Sequence, residues 1–183
     1  MPSAIIILAD GFEEIEAITC IDILRRAEMD VAVLGLNEVE VRGSRNIMVK
    51  ADLLFDDYNG QFDAVVLPGG IPGTNNLAQS QGLLTLIKEA NQIGKICAAI
   101  CAAPTVLAKA GILTGKKATC YPGHEGRLSG AQIVNEPVVT DGNIITSRAV
   151  GTTIPFALKL VEALAGEEIA KKISSAILYS SSQ

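Results

Sequence analysis

Apolar positions along the chain follow two periods. Ser3–Leu8 is an unbroken aliphatic run ended by Asp10-Gly11, the pattern of a strand covered on both faces. From Glu13 to Glu28 the spacing changes. Ala17, Ile21, Leu24 and Ala27–Glu28 line successive turns and predict a helix. Asp30–Leu36 predicts a second strand, Val39–Lys50 a hairpin or extended arm, and Asp63–Leu67 another buried strand ended by Pro68-Gly69-Gly70. A helical stretch lies between Asn75 and Gln92, with an interruption expected near Gly82. Lys95–Ile100 predicts a strand and Ala102–Ala110 a helix stopped by Gly111. Val138–Ser147 reads as a hairpin with Asp141-Gly142 as its turn signal. Gly151–Ala165 and Glu167–Leu178 read as closing helices, and Ser180–Gln183 as a frayed tail.

Alternating strands and helices predict an α/β sandwich, a mainly parallel sheet with helices on both faces. The 183 residues suit one domain, with no repeat and no low-complexity linker. Apolar residues make up 49% of the chain but aromatics only 4%, so the core must be aliphatic. The net charge of -5 is spread along the chain without a basic stripe, which argues against a nucleic-acid scaffold. No apolar stretch approaches the roughly 20 residues that cross a bilayer. The first apolar run lacks a preceding basic region and reads as a strand, not a signal peptide. Cysteines at 20, 97, 101 and 120 do not form a dense disulfide framework. With a single histidine, no zinc pattern emerges. Free thiols in a reducing cytoplasm are the simpler reading, and no metal or cofactor is implied.

In open α/β sheets, sites gather at the carboxyl ends of strands. Three such ends are equipped here: Asp10–Glu16, Pro68–Gly73 and Ile100–Pro104. Cys101 sits between a strand and a helix start, with small neighbours and Pro104 suited to a first helical turn. A helix terminus there is expected to lower the thiol pKa and favour the nucleophilic thiolate; in isolation, such a cysteine is more often a small buried hydrophobe. The glycines after Leu67 expose backbone N–H groups, so the Gly70 and Ala102 amides could flank Cys101 and hold an oxyanion. The acids Glu13, Glu14 and Glu16 either decorate a helix start or supply a proton carrier facing Cys101, and periodicity does not choose among them. Glu16 falls on a polar stripe with Thr19 and Asp22. His124, in Pro122–Gly126, reads as a surface residue. Cys20 and Cys97 read as core, and Cys120 could lie near the site through Tyr121. Arg45 and Arg148 could form an anion pocket.

Four segments together resemble the ThiJ/PfpI superfamily, and most closely the subgroup of the Parkinson-disease-associated protein and its bacterial relatives. They are Leu8-Ala9-Asp10-Gly11-Phe12-Glu13-Glu14-Ile15-Glu16, Val66-Leu67-Pro68-Gly69-Gly70, Ala98-Ala99-Ile100-Cys101-Ala102-Ala103-Pro104 and Thr146-Ser147-Arg148. The resemblance runs over nearly the whole chain, as one ThiJ/PfpI-type domain over 1–183. It implies a flavodoxin-like three-layer sandwich of the class I glutamine amidotransferase kind, and a homodimer. It implies Cys101 as the reactive thiol, Glu16 as the protonated carboxyl bonded to it, and the Gly70 and Ala102 amides at the oxyanion position. Arg45, Arg148 and Tyr121 would line the substrate pocket. Tyr121 stands where close relatives carry a histidine before proline, and Ala149-Val150-Gly151-Thr152 replaces a turn richer in glycine and proline. The superfamily's proteases place a histidine after the nucleophile, where this chain has Ala102, so peptide cleavage is not expected. The implied activity is reactive-carbonyl removal. Methylglyoxal would give lactate without glutathione, or early glycation adducts of amines and thiols would be reversed. The alternative is an oxidative-stress sensor or chaperone built on an oxidisable Cys101 with little turnover.

Overall fold

Both faces of the first strand are buried, and this decides the architecture. In β1 (Ser3–Leu8), Ile5 and Ile7 point into one apolar cluster while Ala4, Ile6 and Leu8 point into another. A strand that alternates between two cores must lie inside a sheet with a helical layer on each side. The structure, a computed structural model, describes residues 1–180. After β1 come α1 (Glu14–Arg26), β2 (Asp30–Gly35), the small hairpin β3 (Glu40–Arg42) and β4 (Met48–Lys50), and β5 (Leu53–Leu54). The next elements are β6 (Ala64–Leu67), α2 (Gly73–Gln79), α3 (Gln81–Gln92), β7 (Ile96–Ile100) and α4 (Pro104–Lys109). The chain closes through β8 (Lys117–Ala118), β9 (Gln132–Ile133), β10 (Val138–Asp141), β11 (Ile144–Ser147), α5 (Thr153–Ala165) and α6 (Glu167–Ala176).

The main sheet has the order β10-β11-β7-β6-β1-β2-β5, parallel except for β10 at one edge. Helices α1, α5 and α6 pack on one face with Ala17, Leu24, Phe156, Leu160 and Ile173. Helices α2, α3 and α4 cover the other with Leu77, Leu83, Ile87 and Val106. This is the flavodoxin-like three-layer sandwich. The chain winds outward from β1 to β2, then reverses to β6 and β7, so the crevice beside β1 and β6 is the topological switch point where such folds place ligands.

Several local expectations shift. The break between α2 and α3 falls at Ser80, not near Gly82, because Ser80 Oγ accepts the Leu83 N–H at 3.2 Å and caps α3. The helix after Cys101 starts only at Pro104. The β10–β11 turn is Gly142-Asn143, one residue later than the Asp141-Gly142 signal, since Asp141 still pairs with Ile144. Short strands β5, β8 and β9 have two residues each, too few for a periodic pattern to reveal. Glu16 leaves the expected polar stripe altogether. It is fully buried, whereas Ile15 and Ile18 face outward. The tail beyond Ser180 lies outside the described residues.

Candidate active site

Cys101 occupies the bend where β7 stops. Its N–H donates to Ser147 O at 3.0 Å across to β11, and its carbonyl accepts the Tyr121 N–H at 2.8 Å. These two bonds and the short turn that follows force φ to +64°, a left-handed value that costs a side-chain-bearing residue roughly 1–3 kcal/mol. Ala102 and Ala103 are buried behind the turn, and Pro104 opens α4 without needing an N–H partner. The thiol remains half-buried at the carboxyl edge of the sheet.

Glu16 reaches the same point from the first turn of α1. Its Oε2 accepts the Gly69 N–H at 2.8 Å. Its Oε1 is buried and has no partner of good hydrogen-bond geometry among the described residues, although the carboxyl as a whole interacts with the Cys101 thiol. Burial pushes Glu16 up to about 7. The charge of Glu13 adds to this, and bonds from Gly69 and Cys101 oppose it. Gly69 is the spacer between the two groups. A Cβ there would lie 2.6 Å from Cys101 Cβ and 2.7 Å from Glu16 Oε2, so any side chain would prise the pair apart.

The expected lowering of the Cys101 pKa does not occur. Burial, the Glu16 charge and the hydrogen bond to Glu16 push the thiol up to about 12, while the Ala102 and Gly70 amides pull it down. The reason is geometric. Helix α4 begins three residues after Cys101 and has only six residues, so its terminus is a weak and distant positive end. Near neutrality the pair therefore holds at most one negative charge, resting on Glu16.

The two amides that favour a charged sulfur are those of Gly70 and Ala102. At Gly70, φ is +93° and a Cβ would lie 2.4 Å from both Glu13 N and Gly11 O, so only glycine can aim its amide this way. Arg148 follows Ser147, which pairs with Ile100, so Arg148 and Cys101 emerge side by side. Thr152 Oγ1 accepts the Arg148 N–H at 3.2 Å and fixes that corner. Tyr121 is held at Cys101 through its main chain, with its ring outward and edge-on to His124 at 6.1 Å. Half-exposed His124 engages Arg127 through Nδ1 at 3.5 Å. Arg45 is exposed and tied by its N–H to Glu14 Oε1 at 2.6 Å, so its link to the site runs through the main chain. Cys20, Cys97 and Cys120 are buried and free. Among the described residues no three metal-ligating side chains cluster, and no helix is long and apolar enough to cross a membrane.

A family model described as "DJ-1/PfpI family" matches residues 2–163. The chain belongs to the DJ-1/PfpI family. It is 44% identical over 180 residues to Protein dj-1beta of Drosophila melanogaster, covering 96% of each chain. It is 35% identical over 170 residues to a protein of Caenorhabditis elegans named Glutathione-independent glyoxalase DJR-1.2, covering 91% of this chain and 90% of that one. The crystal structure of Drosophila melanogaster DJ-1beta superimposes with a TM-score of 0.95 at 43% identity, over 98% of this chain and 99% of that one. A structure of oxidized Toxoplasma gondii DJ-1 gives 0.95 at 38% identity, over 99% and 100%.

Two parts of this DJ-1/PfpI site escape sequence reasoning. Gly69 is legible only as a turn glycine, because its role depends on two side chains from distant segments. Glu14 looks like one more acid at a helix start, yet it is buried. Burial opposes its ionisation, but its own amide, those of Arg45 and Ile47, and the Ser44 hydroxyl together hold it below the usual carboxylate range. It thereby fastens the β3–β4 loop onto α1.

The raised Glu16 pKa makes a sign-definite prediction. Folding moves this carboxyl from 4.5 to about 7, so the folded state binds the extra proton. The stabilisation is complete below pH 4.5 and is lost as pH rises through about 7, an effect of order 3 kcal/mol. Glu16→Gln should remove that dependence. Denaturant unfolding at pH 5 and pH 8 should show wild type losing stability, relative to the variant, toward pH 8. Parallel curves would mean that Glu16 titrates normally.

Proposed function

We propose that this chain is a cysteine-dependent enzyme of reactive-carbonyl detoxification, a glyoxalase III-like lyase that turns methylglyoxal into lactate without glutathione. The observation that carries the proposal is the convergence on one half-buried thiol of a carboxyl poised near pH 7 and two backbone amides. The C. elegans relative's name supports the substrate class. Cys101 Sγ adds to the aldehyde carbon while its proton passes to Glu16, and the Gly70 and Ala102 amides stabilise the oxyanion. Protonation of that oxygen gives a hemithioacetal. Glu16 next removes the proton from the former aldehyde carbon and returns one to the adjacent carbon, leaving a thioester. One water hydrolyses the thioester, releasing lactate and the thiol. Because Glu16 takes the thiol's proton during attack, no free thiolate need accumulate. Arg148 and Tyr121 bound the substrate's approach, with Arg45 at the pocket's outer side. The same first step on glycated amines or thiols would make the enzyme a deglycase, a hydrolase.

In this reading residues 1–183 act as one ThiJ/PfpI-type domain, in a reducing compartment such as the cytoplasm, and without a cofactor. Purified protein should form lactate from methylglyoxal, with Cys101→Ala at the buffer rate and Glu16→Gln slower by about 100-fold or more. Since Glu16 must be ionised to accept the proton, kcat/KM should rise with pH through about 7. Undiminished turnover in Cys101→Ala would sink the mechanism.

A second reading, an oxidative-stress sensor, draws on the buried, unpartnered Glu16 Oε1, on the contact of the Glu16 carboxyl with the Cys101 thiol, and on the oxidized Toxoplasma gondii relative. Two peroxide equivalents would take Cys101 to a sulfinate, which a protonated Glu16 could hold by donating a hydrogen bond. Intact mass under graded peroxide should then stop at two added oxygens on Cys101. Oxidation spread over all four cysteines would reject it.

The chain is also proposed to act as a homodimer. Ile15 and Ile18 of α1, Ile47 and Met48 of the hairpin, and Ile154 of α5 expose large apolar side chains, and Ile18 and Ile154 line one groove with Leu178. Light scattering should give twice the 19.1 kDa chain mass for wild type and a shift to monomer for Ile18→Lys. A monomeric wild type would remove the proposal.

A further inference from the structure

Behind Glu16 lies a second thiol that the mechanism does not use. Cys20 is one turn further along α1, on the same face, and both residues are buried. The Glu16 carboxyl thus has the Cys101 thiol on its reactive side and the Cys20 thiol along the helix behind it. A thiol fills the space of a small hydrophobe and donates only weakly. Cys20 gives Glu16 Oε1 no bond of good geometry, since that oxygen has no partner. A hydroxyl in the same place could donate to the carboxylate and favour the charged form.

We infer that Cys20 is a positioning residue for Glu16, a neutral and weakly donating floor that keeps the carboxyl desolvated and leaves the carboxylate a strong acceptor for the Cys101 proton. This rests on the reading of Glu16 as the proton carrier. The closeness of the two groups shows in the Cys20 thiol, which burial first and the Glu16 charge second both drive up. The other groups facing Glu16 are few. Glu13 on α1 adds negative charge, Gly69 on the β6 loop donates its amide, and Cys101 contributes its thiol. The buried residues of α5, which packs on α1, are Thr153, Phe156, Ala157, Leu160 and Val161, and none is ionisable. Cys20 is therefore the neighbour whose chemistry can be changed without adding a charge or touching the reacting atoms.

The test compares Cys20→Thr with Cys20→Val, which have nearly equal shape and differ by a hydroxyl against a methyl. Protonation of Glu16 is followed by the infrared carbonyl band of its neutral carboxyl, assigned by its disappearance in Glu16→Gln. Cys20→Thr should lower the titration midpoint by about one pH unit, as a hydrogen bond to a charged group implies. The acid limb of the lactate-forming rate should move with it. Cys20→Val should leave the midpoint where it is or raise it. An unmoved midpoint in Cys20→Thr, or an equal fall in Cys20→Val, overturns the inference. Cys20→Ser, which adds no volume, repeats the comparison if the threonine variant does not fold. The infrared midpoint needs no turnover, so failure of the inference and failure of the proposed activity remain separable.

Discussion

A carboxyl cut off from water and held by one amide is the constraint on which this site depends. Gly69 N–H bonds one oxygen of Glu16 and leaves the other buried without a partner, while the carboxyl as a whole meets the Cys101 thiol. A single bond does not repay the cost of burying a full charge, so the proton is retained to near neutrality. Burial raises the thiol first, and a second negative charge beside that of Glu16 raises it further. The pair is better described as one proton-sharing unit than as a free thiolate with a helper.

The fold supplies the geometry for that unit. Strand β1 delivers α1 and its Glu16, β6 delivers Gly69 and Gly70, and β7 delivers Cys101, all at adjacent strand ends around the switch point. Close approach of these loops relies on absent side chains. A Cβ at Gly69 would meet the reacting pair, and one at Gly70 would meet the β1–α1 turn. The left-handed bend at Cys101 is the local cost of presenting the sulfur, offset by bonds to Ser147 and Tyr121 on either side.

The sequence by itself determined the layers, the main strands and the three loaded strand ends. Unbroken aliphatic runs such as Ser3–Leu8 can be satisfied only between two cores, and the Gly and Pro residues that end them limit where the chain can turn. It also singled out Cys101, because its position between a strand and a proline-led helix is a local property. Strands of two residues, and the Ser80 break, carried too little periodicity to be read. What only the tertiary structure decided was the partnership and its electrostatics. Glu16 shares a short segment with Glu13 and Glu14, and nothing local tells which of the three is buried beneath Gly69. The Cys101 pKa was misjudged from the sequence for the same reason. A helix terminus can be read along the chain, whereas burial and the charge of a residue 85 positions away (101 minus 16) exist only once the strand ends meet.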